Sequence, residues 1–302
     1  MQVSTSTFFR NQSEQLQTLQ TESANLQRKI ATGKTIEGPS EDPIAFSDIG
    51  RLLNQIENID QFKRNITRAN ARLSSEETVL SQVTTTVTRL QELAIYALSD
   101  TVNATDRKAM ANEVALLRDM LVDLANTKDP NGAALFGGFH NDDPTFIKDV
   151  SGKVDYVGDD SIIYTTIGNG IDISVSSSGE DTFMRISTKR APRGESLFTI
   201  VQDMLQSLKN GEAPNGSRDN LADALNHFTF QQTITGTRLS RLEAQNNALD
   251  SNALSAKTIL SQVQDTNIED AVTQLQQKLL SLEAGQASFV KISELSLFKY
   301  LR

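Results

Sequence analysis

The chain has no cysteine and no tryptophan, only two histidines, and only 6% of its 302 residues are aromatic. Without cysteine there are no disulfides and no thiolate metal centres, although cysteine-free chains persist in either redox environment. Few aromatics beside 38% hydrophobic residues predict a thin helical bundle more than a thick globular core. No run approaches the roughly 18 apolar residues of a membrane span, so no membrane insertion is expected. The first thirty residues lack a basic segment followed by an apolar one, which argues against a cleaved secretory signal. Any export then needs another route. A formal net charge of −9 without clustered Lys and Arg argues against nucleic acid as a partner.

Chemical motifs are equally sparse. Gly33, Lys34 and Thr35 look like the tail of a phosphate-binding loop, but Arg28 stands where the upstream glycine is required and no strand precedes it. The bland reading is a helix stop with Gly33 near the C-cap. His140 beside Asp142 and Asp143 could form a single-histidine metal site, and Asp159 and Asp160 form another acidic pair, but a solvated turn explains both better. His227 sits beside Phe228 and Phe230 with no ligand partner in sequence. Ser151-Gly152 and Ser178-Gly179 lack the flanking glycine of a nucleophile elbow. No triad, metal cluster or complete cofactor motif emerges, so neither an enzyme nor a cofactor is expected.

What the chain does have is hydrophobic repetition. Leu16, Leu19, Ser23, Leu26 and Ile30 follow a 3,4 rhythm that Phe9 and Gln12 extend backward. At the other end Ile268, Val272, Leu275, Leu279, Leu282, Gln286 and Phe289 keep the same rhythm. Such spacing gives a helix one narrow apolar seam, which needs another seam to cover it. Further in, Leu52, Ile59, Ile66, Leu73, Leu80, Val87 and Ala94 recur every seven residues, with Phe62, Ala69, Glu76, Val83, Leu90 and Ala97 three places on. One helix over residues 44–98 explains this, and at 1.5 Å per residue it would be about 80 Å long. Its expected partner is the segment carrying Leu239, Leu242, Leu249, Ala253, Ala256, Leu260 and Val263. A turn near residues 103–106 leads to a third helix over 106–124, with Thr105 as its expected N-cap. A shorter helix over about 196–208 supplies a fourth.

Between residues 132 and 192 the heptads stop, and residues 161–166, 171–176 and 182–188 are rich in β-branched side chains. Gly168, Asn169 and Gly170 predict a hairpin turn between the first two runs. The loop over 33–43 reads as a joint: Gly33 ends the first helix, Pro39 and Pro43 stiffen the connection, Asp42 caps the long helix and Pro43 occupies its first turn. The expected fold class is mainly α: a long antiparallel helical rod with paired N- and C-terminal helices and a small β-rich insertion. Three domains are expected: 1–42 with 266–302, 43–134 with 193–265, and 135–192.

The first thirty residues hold six Gln, four Ser, four Thr and two Asn against five charged residues. Uncharged polar groups enter crowded contacts without the desolvation cost of ions. This face is expected to meet other subunits, remaining disordered alone and becoming helical once packed.

Several short motifs occur in a telling order: Thr32-Gly33-Lys34, Pro39-Ser40-Glu41-Asp42-Pro43-Ile44-Ala45, Leu80-Ser81-Gln82-Val83, Leu124-Ala125-Asn126-Thr127 with Asn131-Gly132, Phe136-Gly137-Gly138, and Leu295-Ser296-Leu297-Phe298. Together they resemble the flagellar hook-associated protein 3 family, which is flagellin-like and joins the bacterial hook to the filament. Flagellin itself is the nearest rival, but its usual Asp-Asp-Ala-Ala-Gly is here Asp42-Pro43-Ile44-Ala45, and its terminal Leu-Leu-Arg is Leu297-Phe298-Lys299-Tyr300-Leu301-Arg302. The resemblance implies a layered subunit with terminal helices forming an inner tube, a helical middle and an outer β-rich domain. It also implies export through the flagellar type III apparatus with a cytoplasmic chaperone at the C-terminal region, and an extracellular place in a ring of copies between another hook-associated protein and flagellin. The expected assembly interface is Leu16, Leu19, Leu26, Ile30, Ile268, Val272, Leu275, Leu279, Leu282, Phe289, Leu295, Leu297 and Phe298, with Gly33, Pro39 and Pro43 as the joint. A secreted coiled-coil effector or adhesin is the reading from a different class.

Overall fold

In the computed structural model the backbone is described for residues 2–140 and 144–300, and the side chains for 7–140 and 144–293. Helix α1 (Gln2–Thr32) contains neither glycine nor proline. It stops at Gly33, whose φ of 70° no β-carbon-bearing residue adopts cheaply, and the Gly33 N–H returns to the Lys29 carbonyl at 2.9 Å. Helix α2 (Pro43–Ala97) is 55 residues long. Its start follows the sequence expectation: the Asp42 carboxylate accepts from the Ile44 and Ala45 N–H groups at 3.0 Å each, and Pro43 takes the position that needs no donor.

The heptad reading of α2 holds along its length. Leu52, Ile59, Ile66, Leu73, Leu80, Val87 and Ala94 are all buried, as are Ala69, Glu76, Val83, Leu90 and Ala97. Helix α3 (Ala104–Ala125) follows, but Thr105 is not its cap. Asn103 has extended backbone and its side chain accepts from the Asp106 N–H at 2.9 Å, leaving Thr105 inside the first turn. An Asn two residues earlier outcompetes Thr for the role. Helix α4 (Leu197–Lys209) is capped by Ser196, and α5 (Ser217–Gln264) and α6 (Ile268–Tyr300) complete the helices.

Among the described residues, four short strands lie between α3 and α4. Strands β3 (Tyr164–Gly168) and β4 (Ile171–Ser174) form the hairpin expected around Gly168, Asn169 and Gly170. Strands β1 (Phe146–Lys148) and β2 (Val154–Tyr156) form a second antiparallel hairpin that the sequence patterning did not indicate. Residues 182–188 are not a strand. Residues Glu180–Met184 make one π-helical turn, and only Ile186 bridges, to Glu195. Tertiary packing sets this turn: Phe183 is fully buried among Phe136, Phe146, Phe198 and Phe228, with ring centroids 5.1, 5.3, 6.1 and 5.6 Å away. Five phenylalanines thus gather in one buried cluster of the second unit.

The chain forms two compact units, Met1–Asn58 with Asn252–Arg302, and Ile59–Ser251, the division passing within α2 and α5. In the second unit α2 and α5 run antiparallel, with Lys63 on Asp250 at 2.6 Å and Glu76 meeting Thr235 at 3.1 Å. α3 returns along α2, where Arg89 pairs with Glu113 at 2.8 Å, and α3 meets α4 through Arg118 and Gln202 at 2.8 Å. No helix among the described residues is long and apolar enough to cross a membrane.

Candidate assembly surface

The first unit is built on the pairing of α1 with α6. Phe9 meets Phe289 edge-on with ring centroids 5.5 Å apart, Leu16 packs on Gly285, and Glu22 pairs with Lys278 at 2.7 Å. Low residue numbers therefore face high ones, and the two helices are antiparallel. A β-carbon at Gly285 would stand 3.0 Å from the Leu16 side chain, so the missing side chain is what lets the helices approach there.

Every described position of the α1 seam read from sequence faces inward. Phe9, Gln12, Leu16, Leu19, Leu26 and Ile30 are half-buried and Ser23 is buried, its hydroxyl donating to the Leu19 carbonyl at 2.7 Å. On α6 only part of the expected seam does so. Leu275, Leu282 and Phe289 are half-buried in line with Ala271 and Gly285, whereas Ile268, Val272 and Leu279 are exposed. The inward line is Ala271, Leu275, Lys278, Leu282, Gly285 and Phe289, which keeps the seven-residue period but is rotated so that small Ala271 and Gly285 lie against α1 where Val272, Leu279 and Gln286 were expected. α6 consequently carries two adjacent apolar stripes, one on α1 and one in solvent. Leu295, Leu297 and Phe298 lie outside the residues whose side chains are described.

The joint holds both ends of this pair. Thr35 donates its N–H to the Gln264 carbonyl at 2.7 Å, and Thr266 donates to the Gly33 carbonyl at 2.9 Å, so Lys34 and Asp265 form a single antiparallel bridge. The Thr35 and Thr266 hydroxyls are 3.1 Å apart. Pro39 is exposed in the turn where the Glu41 N–H reaches the Gly38 carbonyl at 3.2 Å. The Glu41 carboxylate accepts from the Glu37 N–H at 2.8 Å, which, with Lys29 and Arg28 nearby, holds its pKa below the usual carboxylate range despite opposing desolvation. Asn267 caps α6, accepting from the Asp270 N–H at 3.3 Å.

Sequence reasoning missed a groove beside this joint. It has a volume of about 600 Å³ and is lined by Ile36, Phe46, Ile49 and Leu53, with Lys34 and Glu37 among its polar groups. Ile44, Phe46 and Leu53 on α2 and Leu254 and Ile259 on α5 are all exposed. Their signal was present in the sequence as large apolar residues lying off the heptad positions.

The chemical candidates do not assemble into a site. Gly33, Lys34 and Thr35 serve the joint. Asp159 accepts from the Phe139 and Ser161 N–H groups at 3.2 and 2.8 Å, and Asp160 from the Ser178 hydroxyl at 3.0 Å. The His227 ring lies 3.1 and 3.2 Å from the Asp181 and Thr182 carbonyls, and burial holds its pKa below the ordinary histidine value. His140 is exposed, while Asp142 and Asp143 lie outside the described residues. Among the described residues no group of three metal-ligating side chains is found.

Comparison with known proteins gives this arrangement a class. Residues 3–141 match the bacterial flagellin N-terminal helical region, and the mainly α fold with a small β-rich segment is flagellin-like. The chain is also similar over its whole length to the flagellar hook-associated protein 3 of Salmonella typhimurium, with 26% identity covering 100% of both chains. The Escherichia coli protein of the same name is 28% identical over 90% of each chain. The crystal structure of flagellar hook-associated protein 3 from Legionella pneumophila superposes with a TM-score of 0.66, at 21% identity over 71% of this chain and 98% of that one. The resemblance to flagellar hook-associated protein 3 drawn from the short motifs is thereby borne out.

Proposed function

We propose that the chain is a structural subunit of the bacterial flagellum, exported without a cleaved signal and built into the junction between hook and filament, and that it is not an enzyme. The observation that carries the assembly reading is the second apolar stripe of α6, left uncovered by α1. Exposed Ile268, Val272 and Leu279 suit burial against neighbouring copies in a ring, while Leu16, Leu19, Leu26, Ile30, Leu275, Leu282 and Phe289 hold the pair together. Folding of the termini is coupled to assembly: burial of these stripes offsets a backbone ordering cost of about 1–2 kcal/mol per residue. Residues 1–42 with 266–302 form the assembly domain, Gly33, Pro39 and Pro43 the joint to the helical domain, and 135–192 a separate β-rich domain. Leu295, Leu297 and Phe298 belong to the same interface. The neighbours are another hook-associated protein on one side and flagellin on the other, with a cytoplasmic export chaperone on the C-terminal region before assembly.

The test is deletion of residues 268–302 in a flagellated bacterium whose own junction protein is removed. The expected outcome is a protein whose second unit still unfolds cooperatively but which builds no filament; motile cells would overturn the proposal. The same strain separates the runner-up, a filament subunit. Intact protein acting at the junction restores filaments made of flagellin, whereas a filament subunit polymerises by itself.

A further inference from the structure

Glu76 occupies an apolar heptad position of α2 and is fully buried. Its Oε1 accepts from the Ser177 hydroxyl at 2.6 Å and from the Thr235 hydroxyl at 3.1 Å. Its Oε2 has no hydrogen-bond partner. One turn earlier on α2, Arg72 donates to the Val175, Ala134 and Leu135 carbonyls and to Asp129 at 2.7 Å. From α5, Arg238 reaches the Ser177 hydroxyl at 3.0 Å and the Ser176 carbonyl at 3.4 Å. Residues 175–177 are therefore gripped between two helices by one carboxyl and two guanidinium groups, with Thr235 holding the carboxyl from α5.

No guanidinium hydrogen-bonds the carboxyl itself. Arg238 approaches it through Ser177, and Arg72 is occupied by Asp129 and three carbonyls. An ionised carboxylate with one oxygen unpartnered in a dry interior is far costlier than the neutral acid, and buried groups of this kind take up a proton instead. We propose that the folded chain carries Glu76 as a neutral carboxylic acid, and that this bound proton keeps the 175–177 segment clasped between α2 and α5. The proton comes from solvent on folding and returns to it on unfolding.

The charged groups around the acid are Arg72 on α2, Arg238 on α5 and Asp129, which is tied to Arg72 in the loop after α3; the 175–178 segment brings only hydroxyls, the last of them bonded to Asp160. The two arginines favour ionisation, but burial outweighs them and pushes the carboxyl above its ordinary value of 4.5. Because the folded value lies above the unfolded one, the contribution is full below pH 4.5 and is lost as pH rises through the folded value.

Urea unfolding of the full chain and of Glu76→Gln across pH about 5 to about 8 tests this. Gln keeps the acceptor for Ser177 and Thr235 but holds no titrating proton. The folding constant of the unaltered chain should fall relative to that of the variant, approaching tenfold per pH unit for one proton, about the limit that linkage sets. Parallel pH profiles would overturn the proposal. Should the variant not fold, infrared spectra of the unaltered chain at neutral pH decide. A carboxylic-acid carbonyl band that shifts on carbon-13 labelling of glutamate is expected, and its absence means that Glu76 is ionised. The inference does not depend on the flagellar reading.

Discussion

The Arg72 guanidinium is the most heavily committed side chain on α2, holding Asp129 and three backbone carbonyls that belong to separate stretches of chain. Asp129 in turn accepts from the Asn131 and Ala133 N–H groups at 2.8 and 3.1 Å, so one carboxylate shapes the 129–133 turn and neutralises the arginine. Both side chains are almost out of solvent. Asp129→Ala therefore strands a buried charge and should destabilise the second unit by about 3–5 kcal/mol, read as a shift in the urea-unfolding midpoint. Sequence alone did not reveal this pair. Arg72 and Asp129 are 57 positions apart, and charged residues at such separation carry no periodic signal. Asp42 and Gly33 were legible because caps and stops act on their immediate neighbours.

At the scale of elements, what could be read depended on whether the helix or its surroundings set the structure. The α2 heptad and the α1 seam were visible because a long run of regular spacing overrides local noise. The β1–β2 hairpin was not, since three-residue strands give no countable alternation. Residues 182–188 misled because β-branched composition is a weak prior, and the burial of Phe183 among four other rings decides the backbone there. The rotation of α6 gives a prediction of its own. Val272→Asp with Leu279→Asp changes only exposed positions, so the stability of the isolated chain should stay within about 0.5 kcal/mol. Filament formation in cells should nevertheless be lost. Leu275→Asp, on the α1-facing stripe, should instead weaken the helix pair itself, seen as faster amide exchange in α1.

The whole molecule divides its stability unevenly. The large fully buried side chains, such as Phe136, Phe146, Leu73 and Leu90, all belong to the second unit, whereas the described part of α1 fully encloses only Ser23. Local opening costs follow the burial of apolar contacts. Amides of α1 and α6 should therefore exchange much faster than those of residues 73–97 in the purified chain, and slow once the chain is assembled. Equal protection of both regions in the isolated protein would mean that the terminal pair is already complete and would favour a self-contained coiled-coil protein. This division was only partly legible: the heptads announced which segments pair, but composition cannot say which unit receives the phenylalanines.

The small bridge at the joint also has a mechanical meaning. Because Gly33 and Thr35 are bonded to Thr266 and Gln264, the exit of one terminal helix is fastened to the entrance of the other. A pull on the first helix is passed to the second before it reaches residues 36–43, so the two bear tension together. Were that fastening absent, the loop with its two prolines would carry the whole force through a single strand of chain.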